Sequence, residues 1–104
     1  LRRLSEESGI QIVNFGHAGD GNIHVNIMVD KKDAEKYQKV ESLVREIFEV
    51  TLSLGGTISG EHGIGITKAP YLGMEIKKHE LELMKGIKNL FDPKNILNPG
   101  KIFI

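Results

Sequence analysis

The feature that most constrains how this chain folds is an alternation. Over residues 22–29, Ile23, Val25, Ile27 and Val29 take turns with His24, Asn26 and Met28. A period of two belongs to a strand with one face against a core and the other facing outward. A second run, residues 10–15, is rich in β-branched and aromatic side chains and is bounded by Gly9 and Gly16, so it also reads as a strand. The loop between them carries Gly16, Gly19, Asp20 and Gly21, which suits an antiparallel pairing across a longish turn.

The period then changes. Asp30 stands at an N-cap position with Asp33 three residues on, and a helix is expected over about residues 31–54. Val40, Leu43, Val44, Ile47 and Phe48, continued by Thr51 or Leu52, form its buried stripe. Gly55-Gly56 ends it, one of the two in the left-handed C′ conformation. Residues 57–59 leave room for a short edge strand. Thr67 is expected to cap a turn containing Pro70, and a second amphipathic helix is expected over residues 75–91, with Leu81, Met84, Ile87 and Phe91 inward. Asp92-Pro93 stops that helix, Asn98-Pro99-Gly100 makes a turn, and Ile102-Phe103-Ile104 is an apolar end expected to pack. The order of elements predicts an α+β fold, a small antiparallel sheet with two amphipathic helices packed on one face.

Composition narrows the function classes. At 104 residues the chain is expected to form a single domain with a modest core. Its 14 basic and 14 acidic residues cancel, which gives no electrostatic footprint for nucleic acid or an anionic membrane. No apolar run approaches the length of a membrane span, and the first residues lack the pattern of a signal peptide. A cytoplasmic location is expected, with peripheral membrane attachment only through other subunits. The lack of cysteine excludes disulfides, thiolate metal sites and a cysteine nucleophile. The chain opens on Leu1, and residues 1–8 read as the charged end of a helix entering from upstream. It is therefore expected to be the C-terminal part of a longer polypeptide.

Three of the four histidines lie in two glycine-rich stretches, Gly16-His17-Ala18-Gly19-Asp20-Gly21-Asn22-Ile23-His24 and Ser59-Gly60-Glu61-His62-Gly63. Imidazole and carboxylate suit zinc and neighbouring divalent ions. His17 is expected on the loop and His24 at the start of the following strand, where Asn26 shares its outward face. Asp20 either orients a histidine N–H or closes the turn. Adjacent residues in extended backbone point to opposite sides, so Glu61 and His62 serve one centre only if the glycine loop bends. One arrangement has His17, His24 and Glu61 as metal ligands and His62 as an acid/base beside the open position. Isolated histidines and glycine turns are more often ordinary surface features, and His79, among Lys77, Lys78 and Glu80, is read as one.

These two stretches, together with Phe91-Asp92-Pro93 and Ile96-Leu97-Asn98-Pro99-Gly100-Lys101, closely resemble the C-terminal domain of FAD-linked oxidases. That group includes the glycolate oxidase, D-lactate dehydrogenase and D-2-hydroxyglutarate dehydrogenase relatives within the vanillyl-alcohol oxidase group. The resemblance spans residues 10–103. It implies a ferredoxin-like α+β domain that caps the flavin and oxidation of a D-2-hydroxy acid with hydride passing to the flavin. It implies a divalent metal, zinc being expected, on His17, His24 and Glu61. In the same way it implies proton acceptance by His62, which also touches substrate, and a substrate contact from Asn26. Asn98 is implied to return toward the FAD cofactor, although a turn-forming Asn-Pro accounts for it equally well. The family's FAD-binding domain lies upstream and is not in these 104 residues, so this stretch alone is expected neither to hold FAD nor to turn over.

Two other readings predict different behaviour. A stand-alone zinc hydrolase built on the same residues would act without FAD. A non-catalytic metal-binding interaction domain would show no turnover in any context. An outward sheet face that normally packs on another domain also predicts homo-oligomerisation (dimerisation) or marginal solubility when that domain is missing.

Overall fold

A computed structural model describes residues 1–28 and 34–103. It divides the chain into two compact units, Leu1–Gly56 and Thr57–Ile104.

The first unit is a β-hairpin with two helices. Helix α1 (Arg2–Ser8) leads into strand β1 (Gln11–His17), a 3-10 turn (Ala18–Asp20), strand β2 (Asn22–Met28) and helix α2 (Ala34–Ser53). The strands pair antiparallel, with Ile12 opposite Ile27, Phe15 opposite His24 and Gly16 opposite Ile23. Leu4, Ile10, Leu43 and Ile47 form the core, and Ile12, Val25, Ile27, Val40 and Val50 pack against it. One strand face and one helix stripe thus meet as the two sequence periods require. Ile10 is the most enclosed, at 1% exposure. The alternation holds less far than expected, because Ile23 lies on the core side of the pleat but is exposed beyond the end of the core. The expected places of Val29, Asp30, Asp33 and the first residues of the long helix lie outside the described residues.

Helix α2 ends as the Gly55-Gly56 pair predicts. The Gly55 N–H donates to Leu52 O at 3.0 Å and the Gly56 N–H to Thr51 O at 2.9 Å, the paired bonds of a Schellman motif, with Gly55 at φ +82°.

In the second unit, a 3-10 turn (Ala69–Tyr71) runs into helix α3 (Leu72–Glu75), followed by helix α4 (Lys78–Phe91). Ile58, Ala69 and Leu72 are its buried apolar residues. Three expectations are corrected here. Residues 57–59 form no edge strand, because the Ile58 N–H is taken by the Glu75 carboxylate at 2.9 Å and the Thr57 hydroxyl turns back to Ser59 O at 2.9 Å. The single helix over 75–91 is two, interrupted where Ile76 adopts an extended conformation (φ −101°, ψ 128°). The N-cap of the turn containing Pro70 is Lys68 and not Thr67. Along α4, Leu81 and Met84 are half-buried as expected, but Ile87 and Phe91 are exposed, together with Leu83 and Leu90.

Past α4 the chain is held by a buried carboxylate. Asp92, 5% exposed, accepts the Ile96 N–H at 3.0 Å, the Leu97 N–H at 2.9 Å and the ammonium of Lys88, which also donates to Leu97 O at 2.7 Å. The apolar end is tied down by the Ile102 N–H, which donates to Gly65 O at 2.6 Å. Phe103 is half-buried, with the Lys85 ammonium 6.0 Å from its ring centroid; Ile104 lies outside the described residues.

Candidate functional site

The hairpin register explains where the first two histidines go. Phe15 faces His24, and His17 faces Asn22, two residues before His24. With the period of two, Val13, Phe15 and His17 share one sheet face with Asn22, His24, Asn26 and Met28, opposite the face that carries Ile12, Val25 and Ile27. His17 and His24 are therefore diagonal neighbours. Their rings lie edge to face with centroids 6.4 Å apart, and a ring nitrogen of each lies within 4.8 Å of the other. His17 is the last residue of β1, so it stands on the sheet and not on the loop that the glycines suggest.

Two features fix this pair. Phe15 stacks on His24 with centroids 5.0 Å apart and ring planes 22° apart, which limits the rotation of an otherwise half-buried imidazole. The second is Gly16. A Cβ on it would come within 2.2 Å of Asn22 O and 2.9 Å of Ile23 Cα, so any side chain there would push the strands apart beside His17. Sequence reading finds the histidines but misses Phe15. Its signal is the hairpin pairing itself, which sets an aromatic ring opposite His24. Asn26 is exposed on the same face, and Asp20 is exposed in the 3-10 turn.

Glu61 and His62 lie in the second unit, on an exposed loop. His62 Nε2 and Glu61 Oε1 are 3.8 Å apart, so the loop does bend enough to turn two adjacent side chains the same way. Beside it opens a cleft of about 400 Å³ with an apolar wall of Ile58, Leu72, Ile76 and Met84, and with Glu61 and Glu75 among its lining carboxylates. Asn98 is exposed at φ 47°, a left-handed conformation that asparagine tolerates better than most residues. His79 is exposed on α4, as a surface histidine should be.

The buried Asp92 reads from sequence only as a helix stop. Its hydrogen bond from Lys88 holds the carboxyl well below the ordinary value of 3.8, at about 2, with burial opposing and the Leu97 and Ile96 N–H groups assisting.

Nearly the whole sequence matches a family model. Residues 1–102 fit the C-terminal domain of FAD linked oxidases. The chain belongs to that family. Among curated relatives of this FAD-linked oxidase domain, it is 53% identical over 103 residues to the glycolate oxidase subunit GlcD of Bacillus subtilis, covering 99% of the chain and 22% of that protein. It is 48% identical over 99 residues to a D-lactate dehydrogenase of Archaeoglobus fulgidus, covering 95% of the chain and 21% of the relative. A D-2-hydroxyglutarate dehydrogenase of Stutzerimonas stutzeri is 46% identical over 97 residues, with coverages of 89% and 20%. The chain thus spans about a fifth of the length of the curated relatives it matches. No helix among the described residues is long and apolar enough to cross a membrane.

Proposed function

We propose that this FAD-linked oxidase C-terminal domain supplies the metal- and substrate-binding half of an active site that oxidises a D-2-hydroxy acid to the 2-oxo acid. The observation that carries the reading is the imidazole pair, His17 and His24, on the outward face of a hairpin in a chain of this family. The donor set fits a divalent ion of the zinc type. Both groups are nitrogen donors, and Phe15 limits the motion of one ring. His17 and His24 would hold the ion, each through a ring nitrogen, a donor type that zinc accepts. Glu61 is the proposed third ligand, completing a two-histidine, one-carboxylate set that leaves a position open for substrate.

A bound divalent ion would supply positive charge that acidifies the substrate hydroxyl and offsets the negative charge left as its proton departs. FAD, held by an upstream domain of the full-length protein, would supply the hydride acceptor. The remaining work falls to side chains of this chain. His62 accepts the hydroxyl proton on a ring nitrogen, imidazole being the side chain whose ordinary titration lies nearest neutral pH. Asn26, exposed on the face that carries His24, donates and accepts hydrogen bonds and so orients substrate beside the ligands. Asn98, in the left-handed turn past α4, is proposed to face the flavin.

The test is turnover of glycolate, D-lactate and D-2-hydroxyglutarate by the full-length flavoprotein and its His62→Gln variant. The reading expects kcat to fall roughly 10²–10⁴-fold with flavin content unchanged. Unaltered turnover in that variant on every oxidised substrate contradicts the role given to His62.

A further inference from the structure

The bend that turns Glu61 and His62 the same way has a specific cause. The Ser59 hydroxyl sits at its base and is used in both directions. It accepts the Gly63 N–H at 2.8 Å and donates to Gly63 O at 3.2 Å. One hydroxyl has one donor and two acceptor sites, so it can serve both main-chain groups of one residue at once. Gly63 presents both groups to it because it is left-handed, at φ +78°. The result is a closed ring, with Gly60, Glu61 and His62 bridging between Ser59 and Gly63.

The base of that ring is itself anchored. The Thr57 hydroxyl donates to Ser59 O at 2.9 Å, and the Glu75 carboxylate accepts the Ile58 N–H at 2.9 Å. Ile58, between them, is buried at 5% exposure. The loop tip is exposed, but its stem is held at three consecutive residues.

We infer that Ser59 is a positioning residue for Glu61, its hydroxyl latching the loop so that the carboxylate is presented ready-formed to a divalent cation. The inference rests on the metal reading proposed above. It adds a residue that is no ligand and touches no substrate. Without the hydroxyl the three-residue bridge loses both bonds that Ser59 makes to Gly63 across its base. Ordering the loop is then charged against every binding event, as with other groups that orient a ligand from behind. The latch also accounts for a serine at this place, since alanine would satisfy the backbone geometry but neither Gly63 group.

The experiment uses the full-length flavoprotein stripped of metal and titrated with zinc against a chromophoric chelator. Ser59→Ala is expected to weaken zinc binding roughly 10–100-fold, as for other outer-shell partners. Ser59→Thr, which keeps the hydroxyl, is expected to stay within about threefold of the parent. Hydrogen exchange at the Gly63 amide, measured without metal, should be faster in Ser59→Ala and near the parent rate in Ser59→Thr. His17→Ala, which removes a proposed ligand and leaves the loop untouched, serves as the reference. If it loses zinc while Ser59→Ala binds as tightly as the parent, the latch is overturned and the metal reading stands. If Ser59→Ala and Ser59→Thr weaken zinc equally, the hydroxyl is not the cause and the latch is likewise overturned. If His17→Ala and Glu61→Ala both keep zinc, the metal reading fails and the latch falls with it.

Discussion

Residues 1–56 bury Leu4, Ile10, Leu43 and Ile47 against one another, whereas residues 57–104 organise their C-terminal half around a buried carboxylate. In the first unit the polar side chains of interest stand on the face of a hairpin whose other face is core. In the second they stand on loops held by side-chain-to-backbone bonds, Ser59 to Gly63 and Asp92 to Ile96 and Leu97. The difference has a physical consequence. Apolar burial is nondirectional and tolerates small shifts, so it can hold a sheet without fixing any one atom. Hydrogen bonds fix individual backbone groups and are lost outright when a partner is removed. The first unit should therefore fail by losing packing, and the second by losing a single polar contact.

The largest expected effect is in the apolar unit. Ile10→Ala removes the most enclosed side chain and should cost about 2–5 kcal/mol, read from chemical denaturation of the full-length protein. Gly16→Ala should follow at about 1–3 kcal/mol, since its Cβ meets Asn22 O and the strands must separate. It should also disturb the His17–His24 pair, visible as a change in zinc binding. A Gly16→Ala protein with parental stability would show that the close strand approach is not required.

Asp92→Asn probes the polar unit. The amide can still accept one backbone N–H, but its own N–H₂ faces the remaining donors, so the unfolding midpoint should fall at neutral pH. The dependence on pH follows from the sign of the shift. Asp92 has a carboxyl lowered in the folded state, so its stabilising contribution is fully present above the ordinary value of 3.8 and lost as pH falls through about 2. The gap between parent and Asp92→Asn should narrow over that window. A gap that stays constant down to about pH 2 would break the assignment of Lys88 and the two N–H groups as its cause.

The smallest effect is expected at the exposed apolar residues of α4. Leu90→Ser, at a side chain 77% exposed, should change the stability of these 104 residues by less than about 0.5 kcal/mol. A large loss in the full-length protein would instead show that something outside these residues covers that helix face.

The same contrast explains what can be read from the sequence. In the first unit the two periods name both the elements and the faces, so the hairpin, the long helix and the placement of His24 and Asn26 on the outward side are all legible. His17 reads as a loop residue because glycine-rich stretches read as turns, whereas pairing continues through Gly16 to His17↔Asn22. In the second unit periodicity reports only that one side of α4 is apolar. It does not say that Ile87 and Phe91 stay exposed, because burial depends on contacts the pattern does not encode. Ser59 and Asp92 are invisible as anchors. A serine before a glycine loop and an aspartate before proline are ordinary turn and stop signals, and only the hydrogen-bond partners distinguish them.

The central claim is that His17, His24 and Glu61 hold one divalent ion. It is tested most directly by metal analysis of the full-length protein beside its His17→Ala and Glu61→Ala variants, each with flavin content measured in parallel. The account predicts one divalent ion per chain in the parent and loss of that ion in both variants while flavin is retained. Undiminished metal in both would contradict it.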